Sequence, residues 1–276
     1  MLKKRALYIF IILIGLLFSC NDFNKLQKSQ DLELKYTRAV EYYQKGDYVK
    51  AQLLFDELYA VFRSTAKGED VMFYLAYCNY KLGDYILAGY QFRLFYRSFP
   101  LSQRAEECLY MSAYCHYLNS PPYTLDQQDT YAAIEEFQYF VQSYPNSPRV
   151  KECNKLIDDL RAKIEKKKYE LVKLYLNIGD YKATIVAVDL LLQEFPASKH
   201  REELMFFKFK AKYLLAENSV ESKKEDRVND CIAEYKLFSA AYSISEFSGE
   251  AKGYYEKALK LHKKIEEDKK TTTNKK

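Results

Sequence analysis

The chain has 276 residues, 48% hydrophobic and 29% charged, with 27 tyrosines and no tryptophan. Eight glycines and six prolines suit a mostly helical chain rather than a turn-rich β protein. The net charge of +5 comes from the two ends: Lys3-Lys4-Arg5, and a stretch from Lys252 to Lys276 with nine lysines against four acids. The body between them is slightly acidic, which does not suit a nucleic-acid binder.

Residues 1–19 read as a lipoprotein signal peptide. Lys3-Lys4-Arg5 is a positive start, and Ala6–Phe18 is an apolar run too short to span a bilayer comfortably. The run ends in Leu17-Phe18-Ser19-Cys20, which resembles a bacterial lipobox. The expected chemistry is diacylation of the Cys20 thiol, cleavage before it, and acylation of the new amine. Several acyl chains hold far more firmly than one, at about 0.8 kcal/mol per buried CH₂. Asn21 rather than Asp follows, which favours the outer membrane. Residues 20–30 then read as a lipidated N-terminus and polar tether.

From residue 31 to 268 the chain repeats itself. Gly46-Asp47-Tyr48, Gly83-Asp84-Tyr85 and Gly179-Asp180-Tyr181 each mark a tight turn between two amphipathic helices. Glycine supplies the left-handed cap, and the aspartate caps the next helix. Bulky helix ends recur at Phe62, Phe99, Tyr144, Phe195 and Tyr242, each with an apolar residue seven before it. This predicts an all-α fold: an α-solenoid of about five tetratricopeptide-like helix pairs. A helix over Glu246–Glu267 closes it, since a solenoid must cover its last apolar face.

The third pair carries an insertion at Asn119–Thr124, after which Asp129 takes the place of Asp84. Ser147-Pro148 is expected to open a helix of about thirty residues to Ile178, with six basic residues over Arg161–Lys173. Ser198 is a predicted cap, Glu217–Asp226 a predicted polar loop, and 269–276 a disordered basic tail.

The residues for chemistry are missing. Three histidines stand without a His-Glu-x-x-His pair, and there is no Gly-x-Ser-x-Gly, phosphate-cradling loop or paired-cysteine metal spacing. An enzyme, a metal and a cofactor are not expected. Cys78, Cys108, Cys115, Cys153 and Cys231 read as small buried hydrophobes, although a signal peptide implies an oxidising compartment.

Binding remains. Counted from Ala39, Ala76 and Ala113, offsets −3, +1 and +4 give Tyr36, Val40 and Tyr43; Phe73, Tyr77 and Tyr80; and Tyr110, Tyr114 and Tyr117. Eight of these nine are aromatic, which suits a groove for an extended apolar or aromatic peptide. The alternative is packing between adjacent helix pairs.

The lipobox, the five pairs, Tyr144-Pro145-Asn146-Ser147-Pro148 before a Lys-rich helix, and the Pro-Pro loop before Asp129, Ala132, Ala133 and Phe137 together resemble the BamD family of outer-membrane lipoproteins. The resemblance implies a non-enzymatic part of the β-barrel assembly machinery, lipid-anchored on the periplasmic side of the outer membrane. Its N-terminal repeats would receive unfolded outer-membrane proteins, and its C-terminal repeats would dock a BamA-like barrel protein through that partner's periplasmic domains. An adaptor for cell-envelope or peptidoglycan complexes is the competing reading. A nutrient-capture lipoprotein would need a deep ligand pocket.

Overall fold

The structure, a computed structural model, describes residues 22–63 and 65–273, with side chains described to residue 270. Cys20 and the signal segment lie outside the described residues, as do residues 274–276. Among the described residues there are twelve helices and no strand. A short helix, α1, covers 22–28. Then come α2 (Leu32–Gln44), α3 (Tyr48–Phe62), α4 (Ala66–Leu82), α5 (Tyr85–Ser98), α6 (Ala105–Asn119), α7 (Gln128–Ser143) and α8 (Val150–Asn177). The chain ends with α9 (Tyr181–Glu194), α10 (Arg201–Glu217), α11 (Glu221–Ala241) and α12 (Ser248–Thr273). Five helix pairs and a closing helix form an all-α fold of the tetratricopeptide-repeat type. The chain divides into two compact units between Leu160 and Arg161, inside α8.

The turns within pairs obey the sequence. Gly46, Gly83 and Gly179 have φ of 79°, 84° and 80°, a backbone region where a side chain is strained. The next residue's N–H reaches back into the finished helix: Asp47 to the Tyr42 carbonyl, Asp84 to Asn79, and Asp180 to Tyr175, at 2.9–3.0 Å. The same aspartates accept from Lys50, Leu87 and Ala183 backbone N–H groups and so cap α3, α5 and α9.

The turns between pairs follow a second rule. Phe99, Tyr144, Phe195 and Tyr242 end α5, α7, α9 and α11 with nearly the same non-helical backbone. Three residues on, the hydroxyls of Ser102, Ser147, Ser198 and Ser245 accept from the N–H two residues ahead, at 3.0–3.2 Å. Tyr242 therefore makes a regular joint without a following proline. Phe62 does not, because it stays helical and Arg63 ends α3.

In the first unit Ala39, Ala51, Ala76, Ala88, Ala113 and Ala133 are fully buried, which lets helices approach. Phe55, Phe92 and Phe137 fill the space beside them. Asn79 is a buried polar hub. Its side-chain amide donates to Gln91 at 2.6 Å and to the Leu75 carbonyl at 3.1 Å, and its oxygen accepts from Gln52 at 2.5 Å. In the second unit Val172, Val188, Leu191 and Leu204 form one cluster, and Phe206, Phe209, Cys231, Phe238, Ala251 and Ala258 another. There Glu234, only 4% exposed, is held by Lys212 at 2.7 Å and Lys208 at 3.4 Å. A carboxylate this deep is tolerable only when paired.

Several expectations are corrected. Asp129 is not a cap: α7 starts at Gln128, and Asp129 sits in its first turn, 3.3 Å from His116 Nδ1. The Asp126 side chain accepts from the Gln128 N–H instead, and the Gln127 amide donates to the carbonyls of Pro122, Leu125 and Asp126, closing the inserted loop. The polar loop after α10 spans only 218–220. Glu221–Asp226 is helical because charged residues are good helix formers and Glu221 lies in the first turn. Ser147 and Ser198 shape the turns before α8 and α10, which begin at Val150 and Arg201. The last helix runs to Thr273, and Lys269 on it pairs with Glu225 of α11. Residues 22–28 form a helix where a tether was expected, because Phe23 finds an apolar seat: it is 8% exposed and packs edge-on against Tyr42 at 5.7 Å.

Candidate functional site

The eight aromatic positions lie on α2, α4 and α6, the first helices of the first three pairs. Tyr110 is buried and the other seven are half-buried, so none is a fully displayed ring. Phe73, Tyr77 and Tyr80 form a contiguous run with centroids 4.8 and 6.3 Å apart, continued by Tyr85 at 5.7 Å. Tyr110, Tyr114 and Tyr117 stack in series, 5.7 Å apart at each step with ring planes within 21°. Tyr43 joins Tyr48 and Tyr74 instead, and Tyr36 leans edge-on against Phe55 at 6.4 Å.

The inner edges of these rings pack on their own pair's second helix. Tyr77 meets Phe92 at 4.9 Å, Phe73 meets Phe95 at 6.0 Å, and Tyr110 meets Phe140 at 5.8 Å. The hydroxyls reach the next pair. Tyr36 donates to Asp70 at 3.4 Å, Tyr77 to Glu107, and Tyr110 to Glu152 at 3.0 Å. Tyr169 donates to Glu203 at 2.7 Å in the second unit. Each acceptor lies on the first helix of the following pair, so one hydrogen bond sets the step between pairs.

A second contact recurs at every joint and has no local signature in the sequence. The residue two after the joint Ser or Thr covers the offset −3 ring of the preceding pair. Lys67 Nζ lies 5.5 Å over Tyr36, the Arg104 guanidinium 4.5 Å over Phe73, and the Arg149 guanidinium 4.2 Å over Tyr110. The His200 ring stacks on Tyr169 at 4.1 Å, and Phe247 on Phe206 at 4.8 Å. The rule is legible only once the joints are aligned: Thr65, Ser102, Ser147, Ser198 and Ser245, each plus two.

Burial, followed by neighbouring negative charge, shapes the hydroxyl chemistry. Desolvation, then Asp70, pushes Tyr36 up to about 12, and desolvation also brings Tyr43 to about 12. Desolvation, then the hydrogen bond and charge of Glu107, raises Tyr77 well above the ordinary phenol range, and Tyr110 is raised likewise by burial and Glu152. Burial raises Tyr80, with Tyr114 of the next pair adding to it. All are neutral phenols at physiological pH: apolar plates with polar tips.

The five described cysteines are buried free thiols. Desolvation pushes Cys78, Cys115 and Cys231 to about 12 and Cys153 to about 11, far from the low values of a nucleophile. Among the described residues no group of His, Cys, Asp or Glu could hold a metal ion, and no helix is long and apolar enough to cross a membrane.

A family model described as YfiO, outer membrane lipoprotein, matches residues 28–228. The chain belongs to that family. The matched span takes in all eight aromatic positions and four of the five joints, and leaves Cys20 and α12 outside it. No curated protein matches the chain. Among solved structures, a tetratricopeptide repeat protein from Parabacteroides merdae is 12% identical, with 84% of this chain and 100% of that chain covered and a TM-score of 0.25. At that score the likeness adds nothing to the helix pairs themselves.

Proposed function

We propose that this member of the outer membrane lipoprotein family is a non-enzymatic component of the machinery that assembles and inserts β-barrel proteins. Cys20 carries the lipid and holds the chain on the periplasmic side of the outer membrane. The face bearing Tyr36, Tyr43, Phe73, Tyr77, Tyr80, Tyr110, Tyr114 and Tyr117 receives unfolded barrel clients, and a BamA-like protein is the standing partner. The family match over residues 28–228 carries this reading. The half-buried aromatic runs support it, because Tyr and Phe offer large contact area with few torsions to freeze.

Affinity capture of the full-length chain from detergent-solubilised envelopes tests it. Copurification of a large β-barrel protein with periplasmic domains is the expected result. Recovery of peptidoglycan-binding or peptidoglycan-cleaving proteins with no barrel protein would replace it with the adaptor reading.

A further inference from the structure

The segment next to Cys20 is fixed rather than free. Phe23 is buried, with its ring on Tyr42 and Lys50 Nζ 6.0 Å from its centroid. Leu26 packs on the same core. Lys35, 2% exposed, donates to the Gln27 carbonyl at 2.8 Å and pairs with Glu57 of α3. These contacts tie 22–30 to both helices of the first pair. Asp22 follows Cys20 by two residues, and two peptide steps reach at most about 7 Å. A free tether from Cys20 to Gln30 would reach about 35 Å.

We propose that this seating holds the first helix pair directly against the lipid leaflet that carries the anchor. The proposal rests on lipidation of Cys20. The face concerned is the cleft between α1 and α2, of about 510 Å³, lined by Asp22, Lys25, Leu34, Arg38 and Tyr42 among others. Asp22 itself lines the cleft, two residues after the anchor position. The lining suits the headgroup zone: two long cations that keep an apolar stem in the interface, an aliphatic side chain 43% exposed, and a tyrosine with one wet end. The lipid then sets orientation as well as location, because the first pair cannot swing on a leash.

The test uses the full-length protein in vesicles of phosphatidylethanolamine and phosphatidylglycerol that carry a headgroup nitroxide. A fluorophore is attached to Leu34→Cys or, as the distant reference, to Leu125→Cys, the native thiols described above being buried. The expected result is several-fold stronger nitroxide quenching at 34 than at 125. A second variant inserts a flexible Gly/Ser segment after Asn21, leaves the core untouched, and should abolish the difference. Equal quenching at the two positions, or a difference that survives the insertion, overturns the seating. Shielding of the Leu34→Cys dye from aqueous iodide without nitroxide quenching means that a second copy of the chain covers the cleft, and also overturns it. Fatty-acid labelling of the same samples separates the two readings: labelled protein with equal quenching removes only the seating, and unlabelled protein removes the lipid anchor and the seating with it.

Discussion

The guanidinium of Arg149 lies 4.2 Å over the ring of Tyr110, and the Tyr110 hydroxyl donates to Glu152 three residues beyond Arg149. A single turn of chain thus covers the ring's face and satisfies its polar tip. Tyr36 is held the same way, under Lys67 and donating to Asp70, while Phe73 takes only the face cover, from Arg104. The offset −3 rings are therefore joint elements as much as surface. Of the offset +4 rings, Tyr80 has Lys81 of its own helix 5.6 Å over its face, whereas Tyr117 lies at the end of its stack on Tyr114.

Arg149→Ala should cost stability, because a cation over an aromatic face contributes about 0.5–2 kcal/mol. Arg149→Lys should fall between, since the charge stays and the planar stacking goes. Tyr110→Phe should lose about 1 kcal/mol, the usual net worth of a hydrogen bond. Urea midpoints of the four proteins decide it, and a wild-type midpoint for Arg149→Ala would show that the guanidinium contributes nothing.

Ala88→Trp and Ala133→Trp should each destabilise by about 1–3 kcal/mol or more, because overpacking forces helices apart. Both alanines are fully buried, whereas Lys270 near the end of α12 is exposed and Lys270→Trp should melt like wild type. Gly89 belongs to the same class: an added Cβ would stand 3.1 Å from the Cys115 Cβ, so Gly89→Val should also melt early. Thermal melts rank the four variants.

Stability should fall on the alkaline side. Burial raises the folded-state values of Cys78, Cys115 and Cys231 to about 12, and of Tyr36 and Tyr43 to about 12, above their ordinary values. The unfolded chain therefore releases protons first. The stability these groups contribute is fully present below their unfolded values, is eroded as pH climbs above about 9, and is gone once pH passes the folded values. A melting temperature flat from pH 7 to about 8.5 and declining above about 9 is expected. At pH 8 a thiol reagent should reach the five thiols only as fast as the chain opens; rapid native labelling would contradict their burial.

The residues that were readable in the sequence are those whose constraint is local. Gly46, Gly83 and Gly179 announce themselves because few other residues take that backbone, and the aspartate beside each completes the turn. Asp129 misled because the inserted loop replaced the glycine turn and moved the start of α7 without moving Ala133 and Phe137. Glu221–Asp226 looked like loop because it carries no apolar residue, yet lysine and glutamate are good helix formers. The covering of Tyr110 by Arg149 could not be read, because its partners stand 39 residues apart and no periodicity within one helix reports it.

The last prediction separates ligand contact from joint. Extended peptides with alternating apolar residues and a terminal aromatic should bind the first three pairs. Tyr77 is a poor test by itself: it packs on Phe92 and donates to Glu107, so Tyr77→Ala should loosen the joint between the second and third pairs. Tyr114 and Tyr117 stack on each other 5.7 Å apart at one end of their run and are half-buried. Tyr114→Ala with Tyr117→Ala should weaken peptide binding by about 1–3 kcal/mol if these rings are hot spots, with little change in the melt. Tyr→Phe at both positions should lose less, because the ring area remains. Peptide affinity by fluorescence anisotropy, with circular dichroism on each variant, reads both quantities. A folded Tyr114→Ala/Tyr117→Ala protein that binds barrel-derived peptides like wild type would mean that these rings serve packing alone and that clients bind another face.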